Sequence, residues 1–175
     1  EHAEHVARLA CQLFEKLHEL MHIDELNRRL LEAAALLANV GVVISHSKHH
    51  LHSYYVVRNS ELVGLSDREI ELIAQIARYH RKGSPKLEHP EFAALGADDQ
   101  YLVRGLAGIL RIAIGLDRTQ DGRVTKLSIT NTDEDLEISI KTKANTDPDL
   151  NVYAANERKA LLSEATGLRV KVKSA

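Results

Sequence analysis

The stretch DDQYLVRGLAGILRIAIGL, residues 98–116, predicts the central element of the fold. Its apolar residues, among them Leu102, Leu106 and Ile109, recur at three- and four-residue steps, which is typical of one face of an α-helix. Few of the remaining positions are polar, so we expect this helix to be buried on most sides. Asp98 or Asp99 is its predicted N-cap, because a short acidic side chain accepts hydrogen bonds from the first free backbone N–H groups.

The same periodicity predicts four more helices upstream, covering about residues 6–21, 24–41, 47–59 and 66–82. Asp24 is the predicted N-cap of the second of these helices. Ser66 and Glu69 form the capping-box pattern at the start of the fourth, which Gly83 ends. The first two thirds of the chain are therefore predicted to be entirely helical.

Beyond Asp117 the apolar period changes from 3.6 to 2, which predicts strands around residues 127–129 and 136–140. A helix of about residues 149–165, closed by Gly167, and a third alternating segment at residues 168–173 follow. The predicted fold class is mainly α, with a helical domain at residues 1–119 and a small α+β unit of ββαβ order at residues 120–175.

Composition excludes several classes of protein. The single cysteine, Cys11, excludes an internal disulfide framework and thiolate metal clusters. No apolar run approaches the ~20 residues that span a bilayer, so we expect no membrane association and a cytoplasmic location. The chain starts at Glu1, and its only methionine, Met21, lies inside an apolar pattern, so we expect a piece of a longer polypeptide.

Residues 46–86 form the one cationic stretch, with seven Lys and Arg against four Asp and Glu and five of the ten histidines. A linear polyanion is held by rows of such side chains without any catalytic constellation. The alternative is an ordinary charged helix end, where cations also interact favourably with the helix dipole. The candidate anion-binding residues are His46, Lys48, His49, His50, His52, Arg58, Arg78, His80, Arg81 and Lys82.

Two other interpretations of these residues carry less weight. Nucleic acid is an unlikely partner, because the chain has no tryptophan, only two phenylalanines and no aromatic-rich strand on which bases could stack. Spacings such as His46 with His50 would suit a metal, but no carboxylate lies close in sequence to complete the site. For His2 and His5 the sequence is compatible with both a position on the helix surface and a functional role. The histidines assigned to the surface are His18, His22 and His89.

Five segments carry a resemblance to known families. HAEHVARLA (residues 2–10) and LEAAALLANVG (residues 31–41) resemble the first two motifs of HD-domain phosphohydrolases. HSKHHLHSYYVVRNS (46–60), RYHRK (78–82) and RIAIGLDRT (111–119) are similar to the C-terminal region of the Ppx/GppA family, which comprises exopolyphosphatases and guanosine pentaphosphate phosphohydrolases. The resemblance covers residues 1–119, and the tail only in outline.

The resemblance implies an HD-like helical bundle that serves as an accessory module. Phosphate chemistry in that family belongs to actin-like N-terminal domains that this chain lacks, so the chain alone is expected to be inactive and to contain no catalytic residue. The implied partners are inorganic polyphosphate or guanosine polyphosphate, bound through the parent protein, and a second copy in a homodimer.

The HD metal positions are largely vacant. HD enzymes place an adjacent His-Asp pair where this chain has Ala38 and Asn39, and an aspartate where it has Ile114; only His2 matches. Three positions along a helix correspond to about 4.5 Å, so we expect Asp117 to be too far away to substitute. A hydrolytic metal needs charged or imidazole ligands, and we therefore predict no metal and no cofactor.

Two alternatives from other classes stay open. One is a stand-alone HD-type metal-dependent phosphohydrolase with a shifted ligand set, built from His2, His80 and either His50 or His52. The other is an interaction scaffold whose ββαβ tail packs against a partner or extends a sheet across a dimer, since an unpaired edge strand has to be exposed or covered.

Overall fold

The computed structural model describes all residues, Glu1–Ala175. Its first part is a bundle of six helices joined by short connections, two of which contain 3-10 turns at Glu25–Asn27 and Val40–Val43. The helices are α1 (His2–Leu17), α2 (Arg28–Leu37), α3 (His49–Arg58), α4 (Asp67–Arg78), α5 (Pro90–Ala93) and α6 (Ala97–Leu116). The prediction of a mainly α fold with a small α+β unit is confirmed.

The long helix α6 lies at the centre, as its sequence predicts, and packs against α1, α2 and α4. Its N-cap is Gly96, so the prediction of Asp98 or Asp99 is wrong by two to three residues. Both aspartates lie in the first turn, where Asp99 accepts hydrogen bonds from Arg68 at 2.6 and 3.1 Å. That ion pair to α4 occupies the carboxylate that capping would have used.

The other helix boundaries follow local chemistry. The capping box of Ser66 and Glu69 is confirmed, with both reciprocal hydrogen bonds formed. Asp24 caps a 3-10 turn through the N–H of Leu26 at 2.8 Å, and α2 starts only at Arg28, so the predicted second helix is shorter than expected.

The second part contains a three-stranded sheet in the order β1-β2-β3, made of Val124–Asn131, Asp135–Thr142 and Arg169–Ser174. β1 and β2 are antiparallel, and β3 runs parallel to β2. A parallel neighbour requires a crossover connection, which here carries two helices, α7 (Asp149–Asn156) and α8 (Ala160–Thr166). Gly167 ends α8 at φ 71°, as predicted.

The single helix predicted at residues 149–165 is therefore broken, for a packing reason. The Asn156 side chain donates to the carbonyl of Val172 at 2.8 Å and accepts from its N–H at 3.0 Å, which fixes the end of α7 against β3. Both short helices then approach α6 at glycines, because a Cβ at Gly108 would lie 2.8 Å from the backbone N of Leu162. A Cβ at Gly115 would meet the backbone of α7 in the same way.

One hydrophobic core runs through both parts of the chain. Leu106 of α6 belongs to the same buried cluster as Leu127, Ile138 and Val172 of the sheet. The boundary between residues 119 and 120 remains a prediction. None of the helices combines the length and apolar character needed to cross a membrane.

Candidate functional site

A cleft of about 820 Å³ opens between the turn that follows α4, the C-terminal end of α6 and the α7–α8 segment. Three of the four predicted HD metal positions line it, namely His2, Asn39 and Ile114. The fourth, Ala38, is 1 % exposed, and its carbonyl accepts a hydrogen bond from Ser53 at 2.7 Å. The vacant HD positions therefore lie together at this cleft.

Five permanent cations also line the cleft: Arg111, whose guanidinium binds backbone carbonyls, and Arg81, Lys82, Arg118 and Arg158. None of them forms an ion pair with a carboxylate. Glu157 is the only acidic side chain in the lining. Like charges gathered without counter-charges raise the local potential, so the cleft attracts anions.

Arg111 of α6 fixes the turn that carries two of these cations. Its guanidinium donates to the carbonyl of Tyr79 at 2.7 Å and to those of Lys82 and Gly83 at 3.0 and 2.8 Å. Burial lowers the pKa of Arg111. Lys82 has φ 66°, in the left-handed region that non-glycine residues rarely adopt. Three hydrogen bonds from one rigid side chain hold this unfavourable conformation in place.

A buried pair of imidazoles forms one wall of the cleft. His80 Nδ1 lies 2.6 Å from the carbonyl of Ala77, so this nitrogen carries the proton and donates it. The lone pair of His80 Nε2 then accepts from His49 Nε2 at 3.3 Å. Burial, more than the neighbouring imidazoles and Arg81, lowers the pKa of His80 to about 4. The His80 ring is consequently neutral at pH 7.

A second cluster lies beside the cleft, around the buried carboxylate of Asp117. Asp117 accepts from His2 Nδ1 at 2.6 Å and from the backbone N–H of Gly122 at 3.2 Å. His5 Nε2 is 3.7 Å from the same carboxylate, and the pKa of His5 is lowered mainly by burial. The expectation that Asp117 lies too far from the HD position is wrong, because it contacts His2 directly.

Comparison with known protein families matches most of the chain. A family model described as Ppx/GppA phosphatase, domain III, matches residues 1–163. The chain belongs to the Ppx/GppA phosphatase family. The resemblance that the sequence segments carry is thereby confirmed.

Three relatives of this Ppx/GppA domain share the same name. A guanosine-5'-triphosphate,3'-diphosphate pyrophosphatase from Pseudoalteromonas translucida is 35 % identical over 144 residues, which is 79 % of this chain and 28 % of that protein. Proteins of the same name from Vibrio vulnificus and Pseudoalteromonas atlantica are 33 % and 30 % identical, each over 65 % of this chain and 22 % of theirs. The match thus covers less than a third of these relatives.

Of the candidate anion-binding residues, the structure of this Ppx/GppA domain places four in the cleft: His49, His80, Arg81 and Lys82. Two others are engaged elsewhere, since Arg58 binds Glu71 at 2.7 Å and Arg78 binds Glu91 at 3.1 Å. The remaining four do not line it: His46, Lys48, His50 and His52. The pKa of His50 is lowered to about 4, chiefly by burial and then by Arg81.

Two of the three histidines assigned to the surface, His18 and His89, are partly buried. His22 is exposed as assigned, but His89 stacks on Tyr79 and binds its hydroxyl at 2.6 Å. His18 is partly buried and its Nδ1 donates to the carbonyl of Ile23 at 3.1 Å. No group of three or more His, Cys, Asp and Glu side chains has an arrangement that would hold a metal ion, and the shifted ligand set is not brought together.

Sequence inspection missed Arg111, Arg118 and Arg158, which also line the cleft. A usable signal existed for the first two, because they lie seven residues apart at the end of the predicted central helix and so share one face. No signal existed for Arg158, since it reaches the cleft only through the packing of α7 and α8 on α6.

Proposed function

We propose that this chain is an accessory domain of a Ppx/GppA-type phosphohydrolase that binds the phosphate chain of its polyanionic substrate in the cationic cleft. Hydrolysis then takes place in actin-like domains elsewhere in the parent protein, in the cytoplasm. The ligand is inorganic polyphosphate or a guanosine polyphosphate. One observation carries the proposal: Arg81, Lys82, Arg118 and Arg158 face a single cleft without any carboxylate partner.

Unpaired cations suit anion binding for an energetic reason. Two unit charges at 4 Å interact with about 4 kcal/mol at an effective dielectric constant of about 20. An arriving phosphate gains attraction to Arg81, Arg118 and Arg158 without first breaking an ion pair, and it relieves their mutual repulsion. Guanidinium groups also bind phosphate oxygens bidentately, whereas Lys82 acts as a point charge.

Hydrolysis at this cleft would need ligands that the chain does not supply. The methyl group of Ala38 and the aliphatic side chain of Ile114 coordinate no metal, and the amide of Asn39 is neutral. His2 Nδ1 is already bound to Asp117. The same cations that favour phosphate would also repel a divalent metal ion. The donor set therefore supports binding rather than metal-assisted hydrolysis.

The test is calorimetric binding of long-chain polyphosphate to this chain at low ionic strength. We expect the double variant Arg81→Ala, Arg118→Ala to lose at least tenfold in affinity, because two unpaired cations are removed. Arg169→Ala is the matched control, since Arg169 is exposed on β3 and bound to Asp135 at 2.9 Å. Absence of binding in the unmodified chain, or an equal loss of affinity in the control variant, would contradict the proposal.

Self-association is a second proposed role, supported by exposed apolar side chains on the 3-10 turn and α3. Val43 is 83 % exposed and Tyr55 62 %, with Ile44 at 52 % and Leu51 at 37 %. We propose that this patch contributes to a homodimer. Sedimentation at high protein concentration should show a dimer that Val43→Glu converts to monomer. A strictly monomeric unmodified chain would contradict it.

A further inference from the structure

His49 occupies an unusual position in the wall of the cleft, because two groups with opposite requirements face its Nδ1 atom. Arg81 lies at 3.4 Å and can only donate. The carbonyl oxygen of His46 lies at 3.2 Å and can only accept. His49 is 8 % exposed, whereas Arg81 and His46 are exposed to solvent.

The state of Nδ1 decides which of these partners is satisfied. The protonated Nδ1 of His80 donates to the carbonyl of Ala77, so the Nε2 of His80 can only accept. His49 must therefore donate through its own Nε2, which leaves a lone pair at its Nδ1. That lone pair accepts from Arg81 but leaves the carbonyl of His46 without a donor from the His49 ring. If Nδ1 takes up a proton, it donates to His46 and no longer binds Arg81. Each protonation state therefore has a partner already in place.

We propose that anion binding in the cleft is coupled to the uptake of one proton from solvent at His49 Nδ1, which releases Arg81 to the anion. This inference rests on the proposed function, because it requires a polyanion to occupy the cleft. No covalent bond forms or breaks. The proton passes from solvent to Nδ1, and the hydrogen bond from Nε2 to His80 is kept.

The surrounding charges explain why the proton arrives with the anion. The turn after α4 presents Arg81 and Lys82, α6 and the residues after it present Arg111 and Arg118, and α3 adds the His50 ring. The α7–α8 segment presents Arg158 together with the only carboxylate, Glu157, and α1 presents His2. This cationic excess opposes an imidazolium ion in the empty cleft, and a bound polyanion reverses the sign of the field.

His80 supports the mechanism by staying neutral. Its burial lowers its pKa to about 4, so at pH 6 to 7 its Nε2 keeps the lone pair that accepts from His49. A charged His80 would place two donors face to face. The proton therefore has one productive destination in the pair, which is Nδ1 of His49.

The test is isothermal titration calorimetry of long-chain polyphosphate in two buffers with different ionisation enthalpies, at pH 6 and pH 7.5. Long chains are required because only their terminal phosphates titrate in this pH range, so that the ligand itself contributes few of the protons that are counted. We expect uptake of close to one proton per bound site at the lower pH, and a Kd that rises up to about tenfold per pH unit in between.

Three variants separate His49 from the other histidines. His49→Gln should lose the proton uptake and show a flattened pH dependence of Kd, whereas His52→Gln, on the same helix but outside the cleft, should keep both the uptake and the pH dependence. Loss of the uptake in His80→Gln would add support. If His49→Gln fails to fold, ring ¹⁵N shifts of the unmodified chain report directly whether Nδ1 is protonated when polyphosphate is added.

The outcomes are distinguishable. Binding without proton uptake, or uptake that persists in His49→Gln, overturns the coupling and leaves the proposed function intact. A ring Nδ1 that stays unprotonated with polyphosphate bound does the same. No binding at either pH at low ionic strength overturns the proposed function and the coupling with it.

Discussion

Single side chains in this domain show how residue chemistry prepares a binding surface. Arg111 satisfies three carbonyls of the turn that carries Arg81 and Lys82, and one of these residues has a left-handed backbone. The sequence indicated the cations of this turn. It could not indicate that Arg111 holds this turn in place, because a basic residue in an apolar helix usually lies at a solvent-exposed edge of the helix. Only the fold reveals that Arg111 is bound to backbone.

Arg111→Lys should therefore weaken both stability and polyphosphate binding. An ammonium group cannot replace the planar fork that reaches three carbonyls at once, and losing the donor to the carbonyl of the buried Tyr79 costs roughly 1–3 kcal/mol. Urea unfolding and calorimetry measure the two effects. Arg104→Lys is the matched control on the same helix, since Arg104 lies over the ring of Phe92 at 5.0 Å and should change neither quantity by as much.

His80 predicts the pH dependence of stability in the absence of an anion. Its pKa falls from 6.5 to about 4 on folding, because burial disfavours the charged ring. The unfolded chain therefore binds the proton first, so the contribution of His80 is complete above pH 6.5 and is lost as the pH falls toward 4. The full loss is on the order of 3 kcal/mol.

Urea unfolding of the unmodified chain and of His80→Gln across pH 4 to 7.5 measures this contribution. The variant should show a shallower decline in the free energy of unfolding than the unmodified chain. Parallel pH profiles would contradict the assignment.

At the level of elements, periodicity identified the five long helices of the bundle and the three strands of the tail, because burial on one face leaves a regular pattern. It missed the short helix α5 and the break between α7 and α8. The break is caused by tertiary contacts, the hydrogen bonds of Asn156 to Val172 and the close approach at Gly108. Neither contact leaves a local sequence signal.

Gly108→Ala should destabilise the domain by roughly 1–3 kcal/mol, because its methyl group would overlap the backbone at Leu162 and push α8 away from α6. Gly83→Ala is the control, since nothing lies within 4 Å of its Cβ position. Thermal unfolding compares the two. An equal, small effect of both substitutions would contradict the proposed packing role of Gly108.

At the scale of the whole molecule, the cleft unites residues that are far apart in sequence. Arg81, Arg118 and Arg158 come from three segments, and only the first belonged to the predicted cationic stretch. The vacant HD positions were predicted from the resemblance, and the structure adds that they lie beside these cations. The positions that the resemblance to HD enzymes predicts as metal ligands therefore lie beside a group of positive charges.

The proposed binding of a polyanion in this cleft can be measured residue by residue. The most direct measurement is chemical-shift mapping of backbone amides in this chain during titration with long-chain polyphosphate at low ionic strength. We expect the largest shifts to cluster at residues 80–83, 118 and 158 and to shrink as salt screens the charges. Shifts centred on the lysines of the sheet, or no shifts in the cleft at saturation, would contradict it.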